Sequence, residues 1–357
     1  MTALGASIGL VAGDCIRRAR VEHYNDAIEI GTYIAYTDTS LVVTPGTPVT
    51  VYAKGAPYVA FTSLENCGAG VIRCYWRDGA AHVEPTGKIQ RAQSEDYGAT
   101  WGAPSDIVDT PGVDDRDPFI GTVGGVSTLF WVRYLSEAVL QVFAVPTGGG
   151  AIWNVFGYPC ASGTPKVTSL GGAADDGDVI ASYGGTYGSE GWMVTRVGWT
   201  ENYWNPPATL GEDVYRIFEP RIVRIPGGDL LVVARTGITG GAIGELLQMR
   251  SDDDGATWGS GQLFPDFHGT APALLRMSTG TLVVVSNKVY VGGRPIYLSY
   301  STTDGATWST PVFIVNPTDS DSGYCGIIEI DSTHILISYY CVSGTTISVL
   351  PVTIESA

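Results

Sequence analysis

Short apolar runs recur in pairs along this chain, each pair interrupted by a glycine-containing or polar turn. Such pairs span residues 117–134, 165–183, 219–235, 271–287 and 324–340, with a more degenerate copy at 58–77. A short apolar run bounded by turn residues and followed by another predicts two antiparallel strands. The starts are about 50 residues apart, the period expected when each repeat is one four-stranded sheet in a radial array.

A second pattern lies between these pairs. Residues 94–101 read SEDYGATW, 251–258 read SDDDGATW and 301–308 read STTDGATW, a repeated S-x-D-x-G-x-T-W turn known as the Asp-box. The Asp accepts backbone N–H groups, the Gly permits positive φ and the Trp packs beneath the turn. Thr303 replaces the first Asp in the third copy, so that turn is expected to be weaker. The starts at 94, 251 and 301 are spaced as three repeat units and then one. Together the patterns predict an all-β, six-bladed β-propeller of four-stranded antiparallel blades over residues 56–357, with no internal linker. Residues 1–55 lie outside the repeat and are expected to supply a ring-closing strand, for instance at 49–54, or an accessory or oligomerising element.

Composition supports the same class. The chain has 47 Gly, 20 Pro, 10% aromatic and only 16% charged residues, a balance suited to short strands and tight turns. The formal net charge of −16, without a Lys/Arg cluster, disfavours nucleic acid as a partner. It also repels anionic glycans at long range, so an acidic sugar has to be captured by arginines gathered in a pocket. The six cysteines show no metal-type spacing. Cys325 and Cys341 fall on neighbouring predicted strands, either bridged or as two buried thiols, and Cys15, Cys67, Cys74 and Cys160 are widely separated. Residues 1–13 lack the basic start of a signal peptide, and no run is long enough to span a bilayer. Secretion, a cell surface or a virion is the expected location. The four dispersed histidines form no metal constellation, and no cofactor is expected.

In a propeller the first strand of each blade lines the channel, so its beginning projects at the mouth, and the end of the second strand returns there. This rule selects Arg116, Asp117, Lys166, Glu219, Ala271 and Tyr324 as strand starts. It selects Arg77, Arg133, Tyr183, Arg235, Asn287 and Tyr339 or Tyr340 as strand ends. Converging Arg, carboxylate and Tyr side chains make a candidate site.

At these residues the chain resembles the sialidase (neuraminidase) superfamily. Residues 219–235 are similar to the segment that places a catalytic Glu sixteen residues before an Arg of the family's carboxylate-binding triad; Glu219 and Arg235 match. Arg294, before the third Asp-box, resembles another triad Arg, and Tyr324 stands where the family has its Tyr nucleophile. Two departures stand out. No Arg occurs around Ala60-Phe61-Thr62, where the family has its first triad Arg, which leaves Arg77 or Arg116 to compensate. The family's acid/base Asp is replaced by His82, with Asp78 and Glu84 close by.

The resemblance implies a retaining exo-glycosidase acting on a terminal acidic sugar, sialic acid or a related nonulosonic or uronic acid. Tyr324 is then the nucleophile, Glu219 its base, and His82 or Asp78 the proton donor. Arg235 and Arg294, with Arg116, Asp117 and Arg77, bind substrate. A phenol is a poor nucleophile until a carboxylate takes its proton, so Tyr324 and Glu219 are expected to meet across the channel. Two other readings stay open: a catalytically idle carbohydrate-binding propeller, such as a viral tail or cell-surface receptor-binding protein, and a polysaccharide lyase using His82 and a Tyr. For single residues, His82 as a backbone-bonded loop histidine and Arg116 as a surface partner of Asp114 or Asp115 remain alternatives.

Overall fold

Every apolar pair named above folds as two adjacent antiparallel strands. The computed structural model describes residues 20–23, 28–54, 58–123, 125–136, 139–154, 167–173, 179–184, 191–196, 201–205, 208–210, 213–238, 244–253, 255, 257–289, 292–343 and 345–357. Lys166, Cys15, Cys160 and residues 1–13 lie outside them.

The strands form an all-β propeller. One sheet holds Tyr58–Gly68, Val71–Gly79, Lys88–Ser94 and Ser105–Val108; the next holds Asp114–Val123, Val126–Ser136, Val139–Pro146 and Trp153–Asn154. A third runs Val167–Ala173, Val179–Gly184, Gly191–Arg196 and Glu201–Asn205, with Arg20–His23 added in parallel. Ala273–Arg276, Leu282–Asn287, Ile296–Ser301 and Val312–Val315 make another. In the last, Ser322–Asp331, His334–Cys341 and Thr346–Ser356 are completed by Leu41–Pro45 and Val49–Ala53, both paired with Thr346–Ser356.

The unit at Asp213–Arg224, Leu230–Ile238, Leu247–Ser251 and Gly261–Leu263 is different. Ala208–Leu210 joins its inner edge, and Ile28–Tyr33 pairs in parallel with both Ala208–Leu210 and Gly261–Leu263, closing the sheet into a barrel. Among the described residues there are therefore five open blades and one closed barrel, a correction to the six equivalent blades expected. Repeat spacing counts units, but the closing strand comes from a segment outside the repeat. Past the barrel, Tyr36 bridges to Trp308, so residues 20–23, 28–33, 36 and 41–53 lie along the outer strands of four successive sheets.

First strands of neighbouring sheets contact one another around a central channel, where Thr62, Phe119, Arg221, Leu274 and Cys325 line a cavity of about 70 Å³. That volume admits only a handful of waters. The hydrophobic core lies between sheets, as where Val285, Leu298, Ile337 and Leu350 pack from two blades. Among the described residues no helix is long and apolar enough to cross a membrane.

Each S-x-D-x-G-x-T-W turn joins the third strand of its sheet to the fourth. Asp96 and Asp253 accept the N–H of Thr100 and Thr257 at 2.8 Å and their hydroxyls at 2.6 Å. The third turn keeps a bond at the same position, with a neutral hydroxyl in place of the carboxylate. The Thr303 hydroxyl accepts the Thr307 N–H at 2.9 Å, and Asp38 from the N-terminal stretch accepts the Thr302 N–H at 2.7 Å. Cys325 and Cys341 are free thiols.

Candidate active site

The starts of the first strands share one backbone device. Phe61, Asp117, Glu219, Ala271 and Tyr324 all adopt left-handed φ, of 57°, 52°, 49°, 38° and 43°. Strand register shifts beside Phe61, Asp117, Glu219 and Tyr324, so each of these sits in a β-bulge that turns its side chain out of the ladder. Left-handed non-glycine residues cost on the order of 1 kcal/mol or more each and gather at functional sites. Proline follows at Pro118, Pro220 and Pro272, and at the first two it lacks the N–H that the bulge would leave unpaired.

Tyr324 and Glu219 meet. The Tyr324 hydroxyl donates to Glu219 Oε1, and the Ala271 N–H donates to Oε2 at 2.8 Å. Arg235 Nη1 lies 3.4 Å from both carboxylate oxygens, with its guanidinium over the Phe218 ring at 5.2 Å. Glu219 is only 7% exposed. Burial first, then the charge of Glu219, pushes the Tyr324 phenol well above its ordinary value of 10, with Arg235 opposing. The phenol therefore stays protonated until a base takes its proton. Asn287 anchors this arrangement. Its Oδ1 accepts from the Thr270 N–H and hydroxyl at 3.0 and 2.6 Å, and its Nδ2 donates to the Ser322 carbonyl at 2.8 Å. Gly323, at φ 112°, lets the chain pass against Asn287; a Cβ there would meet Nδ2 at 2.7 Å.

Opposite lies an aromatic wall. Phe61 packs against Tyr324, His82 and Tyr340 with ring centroids 5.0, 5.6 and 6.0 Å apart. Arg116 lays its guanidinium over Phe61 at 5.1 Å and Tyr134 at 5.5 Å, and Nη2 donates to the His82 carbonyl at 3.2 Å. Arg116 thus lies beside Phe61, and its Nη1 also approaches Asp114 Oδ2 at 3.8 Å.

Asp117 is pushed up to about 6 from an ordinary 3.8, by burial above all, with Glu219 and Asp114 adding to the shift and Arg116 and Arg77 opposing it. Between those two values the folded chain holds a proton that the unfolded chain has released. Stability contributed by the neutral carboxyl is therefore complete below about pH 4 and is lost as pH rises through about 6. At 1.36 kcal/mol per pH unit the cost at neutral pH is at most about 3 kcal/mol, and about 1–2 kcal/mol after solvent screening at the open mouth. Asp117→Asn is expected to stabilise the protein by that amount near pH 7 and by almost nothing near pH 4. Denaturant unfolding at both values measures it, and equal effects at the two pH values would count against the assignment.

Two residues read from the sequence do not face the mouth. Arg77 is fully buried: Nε donates to Asp114 at 2.6 Å, Nη1 donates to the Ala81 carbonyl at 2.8 Å, and the guanidinium covers Tyr58 at 5.6 Å. Gly79 and Gly87 leave room for it, since a Cβ at either would lie within 3 Å of its nitrogens. Its neighbour Asp78, on the other side of the strand, is ion-paired with Lys54 and has a side chain 4% exposed. Alternation along a strand sends adjacent residues to opposite faces, so the pair is divided between the two sheet interfaces. Arg294 lies in the connection from Leu282–Asn287 to Ile296–Ser301, at the same end of its sheet as Ala271. Among the described residues it makes no ion pair or side-chain hydrogen bond. Arg221, Tyr58 and Asp321 belong to the mouth or channel and were not singled out as site residues by the sequence, whereas Tyr340 was offered there as the alternative to Tyr339. The i+2 spacing of Arg221 from Glu219 was the only available signal.

Several solved structures share this geometry of sheets. A protein of unknown function from Dyadobacter fermentans is 20% identical, with a TM-score of 0.68 over 88% of this chain and 99% of that one. An α-L-arabinanase of Penicillium chrysogenum, solved with arabinobiose, is 16% identical with a TM-score of 0.63, covering 87% and 98% of the two chains. A Hadza microbial sialidase is 16% identical with a TM-score of 0.57; the match covers 84% of this chain and 65% of that one. What the chain shares with all three is the fold, an all-β propeller. No protein-family model and no curated protein sequence matches the chain.

Proposed function

We propose that this propeller is a retaining exo-glycosidase that removes a terminal acidic sugar, with Tyr324 as nucleophile and Glu219 as its base. The observation that carries the reading is the hydrogen bond from the Tyr324 hydroxyl to Glu219 Oε1, between residues 105 apart in sequence. A protonated phenol beside a carboxylate is the arrangement that makes tyrosine nucleophilic without setting a second anion against an anionic sugar. Arg235, Arg294 and Arg116 supply the cationic side of the mouth, and Asp117 the hydrogen bonds to sugar hydroxyls. Structural neighbours that are a sialidase and an arabinanase support action on carbohydrate and leave the sugar open.

A screen of aryl glycosides of sialic, other nonulosonic and uronic acids is the test. Release of the phenol with retained anomeric configuration is the expected result. A protein that binds glycans yet cleaves none of these substrates would overturn it in favour of a carbohydrate-binding propeller. Phe61 at the first-strand bulge and the capture of Asp78 by Lys54 are the observations on that side. Unsaturated products absorbing in the near ultraviolet would point to a lyase.

A further inference from the structure

We propose that His82 moves the proton to and from the glycosidic oxygen, and that Tyr58 and Asp321 hold it in that role; this rests on the glycosidase reading above. The three residues form a chain. The Tyr58 hydroxyl lies 2.5 Å from His82 Nδ1 and donates to Asp321 Oδ2 at 3.1 Å, while Asp321 Oδ1 accepts from the Tyr340 hydroxyl at 2.7 Å. A phenol has one proton to give. Burial first, then the charge and hydrogen bond of Asp321, pushes Tyr58 far above the ordinary phenol range, so that proton stays on and points to Asp321. The Tyr58 lone pair is then turned to Nδ1, which becomes an N–H donor. Nε2 is left as the atom that gives or takes a proton.

Placement agrees with the role. The His82 side chain is 55% exposed at the mouth, edge-on to the same Phe61 ring on which Tyr324 packs. In the first step Tyr324 Oη bonds to the anomeric carbon and its proton passes to Glu219. The bond from that carbon to the leaving oxygen breaks with its electron pair on oxygen, which takes the Nε2 proton of the imidazolium. In the second, a water oxygen bonds to the same carbon and gives its proton to Nε2. The tyrosyl bond breaks, and Tyr324 regains its proton from Glu219.

The charges around the ring set its working range. Burial, Arg116 and Arg77 lower the His82 pKa below its ordinary 6.5, while Asp321, 4.0 Å from Nδ1, and Asp114 oppose them. The imidazolium is thus the minority form at neutral pH, and turnover of a poor leaving group is expected to fall as pH rises through a value below 6.5.

The experiment compares two aryl glycosides of one acidic sugar, one releasing unsubstituted phenol and one a strongly acidic dinitrophenol that leaves without protonation. His82→Gln is expected to lose about 100-fold or more on the phenyl substrate, the lower end of what general acid catalysis contributes, and far less on the dinitrophenyl one. Tyr58→Phe and Asp321→Asn are expected to show the same dependence on leaving group, with the Asp321→Asn profile displaced to lower pH. Should His82→Gln fail to fold, Tyr58→Phe, which keeps the ring, carries the comparison. Equal losses on both substrates, or a leaving-group dependence found in Asp117→Asn instead, would overturn the role of His82 while leaving the glycosidase reading intact. A wild-type protein that releases neither phenol overturns both.

Discussion

Tyr324→Phe is expected to abolish turnover of an activated glycoside while leaving the melting temperature nearly unchanged. The substitution removes one oxygen. The ring, which packs on Phe61 and Tyr340, is retained. What is lost is the bond to Glu219 Oε1 and the only atom of the side chain able to attack the anomeric carbon. Glu219 keeps the Ala271 N–H and Arg235 as partners, so the variant leaves no buried carboxylate without a donor. Glu219→Gln tests the other half. It is expected to lower kcat by about 10²–10⁴, the range of general-base assistance. Measured kcat and KM for the two variants separate the roles: losses confined to KM would mean that both residues only bind the sugar. Tyr324→Phe with wild-type kcat would remove the nucleophile assignment altogether.

Breaking the ion pair between Arg77 and Asp114 is expected to have the largest effect on stability. Both side chains are almost completely removed from water and 2.6 Å apart. Arg77→Met leaves the buried Asp114 carboxylate without its closest cationic partner, a situation that costs about 3–5 kcal/mol. Arg116, 3.8 Å from the other Asp114 oxygen, compensates only in part. Because a buried pair gains little over an apolar one, Arg77→Met combined with Asp114→Leu is expected to recover most of the loss. Chemical unfolding of both variants decides it. A loss under about 1 kcal/mol for Arg77→Met would place Arg77 in solvent at the mouth, as the sequence alone suggested.

The repeat made much of this legible. Apolar pairs at regular spacing specify strands and sheets because a strand buried between neighbours must be apolar along its length, and turn residues mark where it ends. The dipeptides at 117–118, 219–220 and 271–272 each place a residue of left-handed φ at the mouth immediately before proline, so Asp117 and Glu219 could be named from position. Arg77 was placed at the mouth by the same positional rule and Asp78 by the family resemblance, and the structure buries both. At the end of a second strand, neighbouring residues point to opposite faces, and which face meets the mouth depends on the adjoining sheet.

The sequence by itself determined the class of fold and the channel-lining strands, because both follow from local periodicity repeated along the chain; that periodicity also put Tyr324 and Glu219 at strand starts, and the family resemblance implied their pairing. Only the tertiary structure decided that Ile28–Tyr33 closes one sheet, that Asp38 serves the turn at Thr302, and that Tyr58 joins His82 to Asp321. Asp38 and Asp321 reach their partners across 264 and 263 residues. Closure of the ring brings Tyr58 of the first sheet to Asp321 of the last, and the N-terminal stretch lying along the outer strands brings Asp38 to Thr302; no pattern of neighbouring residues encodes either contact.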